Sequence, residues 1–462
     1  MRRDRYWRCE SVRRGVAGWA RCGLLLSVLL APTTYAVALP SFAWQTGQPC
    51  TQCHVHAFGP ALTSFGRQFK LNGYVLDRGD EPFIPIAATI QTSFTHTASS
   101  QPGGATPHTH ANDNVVLDQL SLYYASKILP KVGAFVQGTY DGVSGQASLD
   151  NADIRFANQG TVAGTPLVYG VSLNNNPTVQ DVWNTTPAWG FPFASSPVAP
   201  TPAAATLIDG TVAHQVLGLT AYTLWNQLLY VEAGAYGTLS ASVQRSIGVS
   251  PTGEQQIDGL APYWRLVLQR EWPSHYVSLG TFGLHAQVFP GRDQSAGHDR
   301  FTDWGLDASY QWQPGTQHLA GLNATFIAET QHLTASHTLG NAEHTSDTLQ
   351  TFRMHAYYTF MQTYGVTLGY FQTTGRTDRG LFAPAPITGS VSGRPTSRGF
   401  ITQIDYVPFG KANSFLRPWL NVRLSLQYVA YLTFNGAHTN YDGFGRDASD
   451  NNTLYLLSWF AF

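Results

Sequence analysis

The sequence predicts an all-β fold, a 16-stranded transmembrane β-barrel with a small helical module at its N-terminus. Composition is the first observation, since only 12% of the 462 residues are charged, 13% are aromatic and 44 are glycine. Hydropathy is the second, since its mean is −0.14. The third is an alternation of apolar and polar residues along positions 81–462. Every second residue of a membrane barrel faces lipid, which keeps the mean hydropathy near zero.

The same figures exclude several other classes of protein. Disordered chains have high charge and few aromatic residues. Helical membrane proteins need apolar runs of about 20 residues, and the longest runs here fall short of that. Nucleic-acid-binding proteins carry an excess of basic residues, whereas this chain has 27 Lys and Arg against 28 Asp and Glu. We therefore expect no nucleic-acid partner.

Residues 1–38 have the pattern of a secretory signal peptide. Seven arginines precede the apolar run 23–31, and a small-x-small cleavage site ends at Ala38. The apolar run has nine residues, which is too short to cross a bilayer. Cleavage removes Cys9 and Cys22, so the mature chain is expected to keep two cysteines.

Those two cysteines form the motif Cys50-Thr51-Gln52-Cys53-His54. This is C-x-x-C-H, the attachment motif of c-type haem. Three other interpretations exist. A zinc ribbon needs a second C-x-x-C pair, a thioredoxin-like redox pair needs a βαβ context, and an exported chain can form a plain disulfide. Because a histidine follows the second cysteine directly, the motif predicts one covalent haem c, bonded to Cys50 and Cys53 and ligated by His54.

A short amphipathic helix is expected after the motif. Pro60 suits its first turn, and Asn72-Gly73 supplies a left-handed stop. The expected apolar face consists of Leu62, Phe65 and Phe69, which share one side of a helix.

Residues 39–80 are thus predicted to form a monohaem cytochrome module. Arg67 and Lys70 are candidates for contact with the haem propionates, although a solvated polar face is the ordinary alternative. So few residues cannot shield a haem from water by themselves. We therefore expect the module to fold back against the barrel lumen.

Residues 81–462 are predicted to form the barrel. The clearest strand runs from Leu420 to Phe434, where apolar and polar residues alternate, and the last of sixteen such segments is 454–462. Short connections are expected near 129–131, 225–227, 273–275, 313–317 and 361–363. Long ones are expected near 97–113, 174–211, 237–260, 331–346, 373–397 and 435–450.

The alternation of short and long connections predicts the orientation. Outer-membrane barrels have short periplasmic turns and long extracellular loops, and an even strand number leaves both chain ends in the periplasm. A soluble β-sandwich or propeller would explain the alternating strands but not the unequal connections. The expected location is the outer membrane of a Gram-negative bacterium, in contact with its lipid.

The second axial ligand of the haem is left open by the sequence. Met354 shares a strand face with apolar residues and is expected to face lipid, and Met361 falls in a short turn. His285 and His355 lie on the opposite strand parity and are candidates for distal ligand or pocket residue. A hydrogen-bonded lumen histidine is the ordinary alternative for each.

The first long loop also contains candidate metal ligands. His108, His110 and Asp113 offer nitrogen and oxygen donor atoms close together in sequence. One interpretation is that they bind Fe(II) transiently. A plain hydrophilic loop is the alternative.

Several segments together resemble a known family. Leu39-Pro40-Ser41-Phe42-Ala43, the C-x-x-C-H motif and Phe65-Gly66-Arg67-Gln68-Phe69-Lys70-Leu71-Asn72-Gly73-Tyr74 are similar to the fused monohaem cytochrome–porins, the outer-membrane iron-oxidising cytochromes. The likeness is specific over residues 39–80 and looser over the barrel. Trp44 stands where the family pattern leads us to expect Arg, a departure that does not touch the haem attachment.

The resemblance implies an electron-transfer function. An extracellular reductant, typically Fe(II), would give an electron to the haem, and a periplasmic carrier, a cytochrome or a copper protein, would receive it. Two other hypotheses compete with this one. The chain could be a porin-like transport barrel with a structural or regulatory haem plug, or a docking partner that relays electrons between other cytochromes.

Overall fold

Sixteen antiparallel strands close into a barrel in the computed structural model, which describes residues 41–77, 79, 84–252 and 255–462. The strands are β1 (Ile86–Thr97), β2 (Asn114–Leu129), β3 (Val132–Asp141), β4 (Gln146–Val162), β5 (Thr165–Asn174), β6 (Val216–Trp225), β7 (Leu229–Thr238), β8 (Ala261–Glu271), β9 (His275–Phe289), β10 (Asp299–Trp312), β11 (His318–His332), β12 (Ser346–Phe360), β13 (Tyr364–Gly375), β14 (Ser397–Tyr406), β15 (Asn421–Thr433) and β16 (Thr453–Ala461). The predicted fold class and strand number are confirmed. The predicted signal peptide, 1–38, lies outside the described residues.

The barrel closes between its first and last strands. β1 pairs with β2 on one side and with β16 on the other, in a register that joins Thr97 to Thr453 and Thr89 to Ala461. An additional two-residue strand, Gln256–Ile257, lies in the loop 239–260 and pairs with the end of β9. Closure leaves no strand edge unpaired, which is what a sheet needs in order to lie within lipid.

The outer surface is apolar because the side chains alternate. In β14, Ser397, Gly399, Ile401, Gln403 and Asp405 are buried, and the residues between them are exposed. The exposed positions include Phe400, Ile404 and Tyr406. Leu424, Leu426 and Tyr428 are exposed in the same way on β15. This surface faces lipid, as the period of two predicted.

The two ends of the barrel differ in the length of their connections. At the end where β1 begins and β16 ends, the turns include 130–131, 163–164, 226–228 and 361–363. The other end carries 98–113, 239–260, 333–345, 376–396 and 434–452. Two connections depart from this rule: 142–145 is short at the long-loop end, and 407–420 is long at the short-turn end. Among the described residues, no helix has the length and apolarity needed to span a bilayer.

The loop 175–215 differs from its prediction as an extracellular loop. It starts and ends at the long-loop end, but it folds into the lumen, where Asp181 and Thr186 are fully buried. The hydroxyl of Thr185 donates to Asp307 Oδ2 on β10 at 2.6 Å. Inward-facing carboxylates offer strong acceptors to this Thr- and Asn-rich loop, so it is held inside. We call it the inner loop.

Residues 41–77 fill the short-turn end of the lumen with three helices, α1 (Ser41–Thr46), α2 (Cys50–Cys53) and α3 (Ser64–Leu71). We call this segment the plug. The hydroxyl of Tyr74 donates to Asp153 Oδ2 on β4 at 2.7 Å, and the hydroxyl of Tyr222 on β6 donates to the Leu71 carbonyl at 2.7 Å. The chain therefore folds back into the barrel, as the small size of the module led us to expect.

The boundaries of α3 follow from its caps. Thr63 is the N-cap, and its hydroxyl accepts from Gly66 N at 3.3 Å, so the helix starts at Ser64 and not in the region of Pro60. Leu62 lies outside the helix and forms a β-bridge with His54. The predicted stop is confirmed, because Asn72 is the C-cap and Gly73 has φ +75°, a conformation that glycine adopts without strain.

Buried arginines join the plug to the barrel wall. Arg155 Nη2 lies 2.6 Å from Asp153 Oδ2, and Arg423 Nε lies 2.9 Å from Asp405 Oδ1. Each arginine also donates to a plug carbonyl, Arg155 to Lys70 and Arg423 to Gly59, both at 3.2 Å. These four side chains are buried inside the barrel and pair with one another. Such pairs are costly to break, since a lone buried charge remains.

Candidate functional site

The site is built around the C-x-x-C-H segment. Cys50 and Cys53 are the first and last residues of α2, one helical turn apart, and the His54 amide donates to the Cys50 carbonyl at 2.8 Å. Both thiols are free. The turn therefore presents two sulfur atoms and one imidazole on a single short stretch of backbone.

Two connections at the short-turn end hold this segment. Gln362, in the turn 361–363, donates from Nε2 to the carbonyls of Thr51 and His54, both at 3.0 Å. The amide of Thr51 donates to the Gly410 carbonyl in the connection 407–420 at 3.2 Å. The motif is thus anchored at the rim of the barrel.

A cavity of about 470 Å³ opens beside the motif, between the plug, the inner loop and β1–β4. This volume lies in the range of pockets that hold small-molecule ligands. Cys50, Cys53 and His54 line one part of it. Aromatic side chains line much of the rest: Phe42, Phe58, Phe69, Tyr74, Tyr123, Phe135, Trp189, Phe193 and Trp459. Polar side chains line the part that extends along β1–β4: Gln91, Gln119, Gln137, Asp150 and Asn151.

His54 is in the form that binds metals. Burial lowers the pKa of its imidazole to about 4, so the ring is neutral at physiological pH. Its Nδ1 is buried and has no hydrogen-bond partner. The ring lies against Gly59, where an added Cβ would be 3.3 Å from Cε1. A neutral imidazole with unsatisfied nitrogen is a suitable axial ligand.

Burial has the opposite effect on the two thiols. It raises the pKa of Cys50 to about 11 and that of Cys53 to about 12. Asn421 and the guanidinium of Arg417 lower the pKa of Cys50, but desolvation is the largest cause and outweighs them. The free thiols are therefore protonated at neutral pH and carry no charge into the aromatic cavity.

Lys70 is the cationic side chain that lines the cavity. Its Nζ donates to the Val179 carbonyl and to Asn184 Oδ1, both at 2.8 Å, and lies 4.7 Å from the centre of the Trp189 ring. Burial, with help from the positive charge of Arg155, lowers the pKa of Lys70 to about 7. An anionic group in the cavity would restore its charge, so Lys70 is placed to bind one.

Arg67, the other candidate for a propionate contact, points away from the cavity. Its Nη1 donates to the Leu62 carbonyl at 3.0 Å and to Gln311 Oε1 on β10 at 2.8 Å. The guanidinium lies over the ring of Tyr276, 3.6 Å from its centre. These contacts hold α3 against the barrel wall, so the predicted propionate contact of Arg67 is not available in this geometry.

The two candidate distal histidines lie elsewhere. His285 is exposed on the outer face of β9, where its Nδ1 is 2.8 Å from Thr302 Oγ1, and the prediction that it faces the lumen is wrong. The reason is that Leu284 and Ala286 face inward and pack in an apolar cluster with Leu207 and Ile208 of the inner loop. In this half of β9 the apolar residues therefore face the lumen, and the polar residues between them face outward.

His355 does face inward but lies outside the cavity that His54 lines. Its ring packs against Phe191, with ring centres 4.9 Å apart, and its Nε2 is 3.2 Å from Asn323 Nδ2. Phe193 of the inner loop also packs against its ring, with ring centres 6.2 Å apart. Its position matches the ordinary alternative of a hydrogen-bonded lumen histidine.

The donors of the first long loop are not gathered in one place. Asp113 lies 2.7 Å from His96 Nδ1 at the loop base, and His108 and His110 are exposed. Among the described residues, the three metal-ligating side chains that converge are His344, Asp347 and Asp378.

Part of the site escaped the sequence analysis. Trp459, on β16, faces the lumen, with its ring 5.0 Å from Phe58. Trp189 and Phe193 come from the inner loop, and their role depends on how that loop folds. The one available signal was the strand parity of Trp459, since it alternates with the exposed Leu456 and the half-buried Ser458.

The residues present fit a covalently bound haem. Two free thiols and a neutral imidazole adjoin one cavity. The cavity has aromatic walls for a flat macrocycle, and Lys70 supplies a cation for a carboxylate. No hydrogen bond to Nδ1 ties up the imidazole of His54, which lines the same cavity and can bind a further group.

No protein-family model matches the sequence, and no curated protein matches it. Solved structures do resemble the barrel. OmpF of Salmonella typhi, in complex with daunomycin, is 14% identical, with coverage of 82% of this chain and 97% of that one and a TM-score of 0.45. An anion-selective porin from Comamonas acidovorans is 11% identical, with coverage of 82% and 98% and a TM-score of 0.44. The outer membrane channel DcaP of Acinetobacter baumannii is 12% identical, with coverage of 82% and 96% and a TM-score of 0.43.

The location of the chain follows from its own architecture. It is a closed antiparallel barrel of sixteen strands with an apolar exterior, short turns at one end and long loops at the other. Barrels of this kind reside in the outer membrane of Gram-negative bacteria. The protein is a porin-like outer-membrane barrel whose long loops are extracellular and whose termini are periplasmic.

Proposed function

We propose that the protein conducts electrons across the outer membrane, from an extracellular donor, typically Fe(II), through a single haem c to a periplasmic carrier. The observation that carries this proposal is the extent of the cavity. It begins at Cys50, Cys53 and His54 near the periplasmic rim and extends to Gln119. Gln119 pairs with Asp141, the last residue of β3 at the extracellular end.

The chain's own residues would position the cofactor. Cys50 and Cys53 would bond to it, His54 would ligate its iron, and Lys70 would bind a propionate. The haem supplies a one-electron redox centre, whose potential depends on its axial ligand, its burial and its hydrogen bonds. Outer-sphere electron transfer needs no acid or base, so we assign none.

The two ends of the cavity suit different partners. At the periplasmic end α2 contacts the turns at Gln362 and Gly410, so a soluble cytochrome or copper protein could approach the motif closely. Toward the extracellular end the wall is polar, with Gln137, Asp150 and Asn151. A hydrated cation is bound more readily beside polar side chains than beside aromatic ones, because the polar groups replace part of its water shell.

The main alternative is a transport barrel in which the haem plug is structural or regulatory. The observation that favours it is the polar lumen wall. The plug and the inner loop both occupy the lumen, however, and each is bonded to the wall, as Arg423 and Thr185 illustrate. A passive channel would gain little from two such obstructions.

The proposal is tested by the visible spectrum of the purified full chain, titrated anaerobically with Fe(II). We expect a c-type spectrum that is reduced by about one equivalent of Fe(II) per chain. The control is the double variant Cys50→Ser, Cys53→Ser, which should retain no haem on a denaturing gel stained for haem peroxidase activity. A full-strength haem band from this variant, or no c-type spectrum from the native chain, would contradict the proposal.

A second measurement separates conduction of electrons from transport of solutes. The protein is placed in liposomes, and the swelling caused by small sugars is compared with that caused by a general porin. Reduction of the haem by Fe(II) without solute flux supports the electron conduit. Solute flux without reduction supports the transport barrel instead.

A further inference from the structure

We propose that His344, Asp347 and Asp378 form a binding site for one divalent first-row transition-metal ion at the extracellular end of the barrel. The three side chains come from separate places in the sequence: the end of the loop 333–345, the start of β12 and the loop 376–396. One ligand atom of each lies within 4.8 Å of the others. This site is distinct from the C-x-x-C-H motif and does not rest on the proposed electron transfer.

Asp347 is the residue that points to a ligand. It faces inward on β12 and is 5% exposed. Both of its carboxylate oxygens are buried and have no hydrogen-bond partner. Its nearest cation is Arg376, whose Nε lies 3.6 Å from Oδ1. Buried carboxylates normally have their hydrogen bonds satisfied, so two unsatisfied oxygens that face the same cluster leave room for a cation.

Asp378 is held in place by the backbone. It is fully buried, and its oxygens accept from the amides of Glu343, His344, Gly380 and Leu381 at 2.8–3.0 Å. These four amide donors fix the orientation of the Asp378 carboxylate and stabilise its negative charge before any ion arrives.

His344 completes the set. Its Nδ1 lies 3.4 Å from Asp378 Oδ2 and has no hydrogen-bond partner. Its side chain is 33% exposed, so the cluster opens to the extracellular solvent on this side. An ion can thus enter without rearrangement of the barrel and can keep water molecules as further ligands.

The donor types decide the class of ion. One imidazole nitrogen and two carboxylate oxygens suit first-row divalent metals such as Mn²⁺, Fe²⁺, Co²⁺ and Zn²⁺, with bonds of about 2.0–2.2 Å to nitrogen and oxygen in the zinc case. Ca²⁺ takes six to eight oxygen ligands, which the cluster lacks. Donors that already lie within 4.8 Å of one another need only small side-chain rotations to reach one ion.

The test is calorimetric titration of the chelator-treated, untagged full chain in detergent with ZnCl₂, which is redox-inert and leaves a haem unchanged. We expect saturable binding of one ion per chain. Asp347→Asn and His344→Ala should each weaken it at least tenfold, since each removes one ligand. The matched control is His96→Ala, because His96 and Asp113 form an exposed His–Asp pair at 2.7 Å that lacks a third donor. This control should bind zinc as the native chain does.

A variant that is expected to bind zinc more tightly tests the site in a way that misfolding cannot mimic. Arg376→Gln removes the guanidinium that competes for Asp347, so the site should bind zinc several-fold more tightly. An unchanged or weaker affinity in Arg376→Gln would contradict the role of Asp347 as a ligand. No saturable binding by the native chain, or equal affinity in all four variants, would overturn the site itself. None of these results depends on the haem, so the proposed function fails or succeeds separately.

Discussion

Burial sets the protonation state of the groups in the plug, and the two cysteines show its effect most clearly. The cavity wall desolvates their thiols and raises the pKa of each by two units or more, to about 11 and about 12. Only the thiolate attacks an electrophile. The cysteines are therefore expected to be unreactive once the plug lies in the barrel, so that covalent attachment of a haem would precede barrel closure.

The first prediction concerns this reactivity. In the folded chain prepared without haem, alkylation of the cysteines by iodoacetamide at pH 7.5 should be about 100-fold slower than that of a free cysteine, since two pKa units reduce the thiolate fraction about 100-fold. The rate should rise about tenfold per pH unit and level off only near pH 11. It is measured by stopping the reaction at intervals and counting labelled thiols by mass spectrometry.

Unfolding provides the control for this measurement. The same chain in denaturant should react as fast as a free cysteine, because the desolvation is then lost. The single variant Cys53→Ser isolates the reactivity of Cys50. If the folded chain reacts at the free-cysteine rate at pH 7.5, the cavity does not desolvate the thiols.

At the scale of elements, the contact of α3 with the C-x-x-C-H segment determines the shape of the cavity. Gly66 lies in the first turns of α3 directly against the motif. A Cβ added there would be 2.3 Å from the Cys53 carbonyl oxygen and 3.1 Å from Leu62 Cδ2. The backbone of Cys53 cannot move far enough to relieve so short a contact. The close approach of α2 and α3 therefore depends on Gly66.

The second prediction is that Gly66→Ala destabilises the protein by about 1–3 kcal/mol, the usual cost of overpacking. Intrinsic helix propensity would act in the opposite direction, since alanine favours a helix over glycine by about 1 kcal/mol. A lower free energy of unfolding in Gly66→Ala therefore indicates overpacking, and a higher one indicates helix propensity. It is measured by urea unfolding in detergent, followed by tryptophan fluorescence.

Gly315→Ala is the matched control. Gly315 lies in the turn 313–317, and no atom is within 4 Å of an added Cβ there. Its effect should stay within about 0.5 kcal/mol. A stabilising effect of Gly66→Ala would mean that α3 does not press on the motif.

At the scale of the whole molecule, the barrel has one extracellular end, with the long loops, and one periplasmic end, with the short turns. His110 in the loop 98–113 and Lys131 in the turn 130–131 are both exposed, at opposite ends of β2. The third prediction is that His110→Cys reacts with a membrane-impermeant maleimide on intact cells, because the long loops are extracellular. Lys131→Cys should react only after the outer membrane is permeabilised. Labelling is read as a mass shift on a gel, and the reverse pattern would overturn the orientation.

Much of this architecture could be predicted from the sequence, because its signals are local. The alternation in residues 420–434 needs only neighbouring side chains that face opposite sides of a strand. The count of alternating segments along the chain predicted the strand number, and the lengths of the connections between them predicted the orientation. The spacing of Cys50, Cys53 and His54 is likewise local, since the three lie on adjacent positions of one turn.

The tertiary structure decided whatever depends on partners distant in sequence. His285 faces lipid because the inner loop packs against its neighbours Leu284 and Ala286, and no pattern within β9 reveals that loop. Arg67 turns to Gln311, 244 residues away, and leaves Lys70 beside the cavity. His344, Asp347 and Asp378 converge because two loops meet over the start of β12. The sequence by itself thus determined the barrel, its orientation and the C-x-x-C-H motif, because backbone periodicity and short spacing are properties of neighbours. The contents of the lumen were decided only by folding, because the energy of a buried charge depends on which distant group pairs with it.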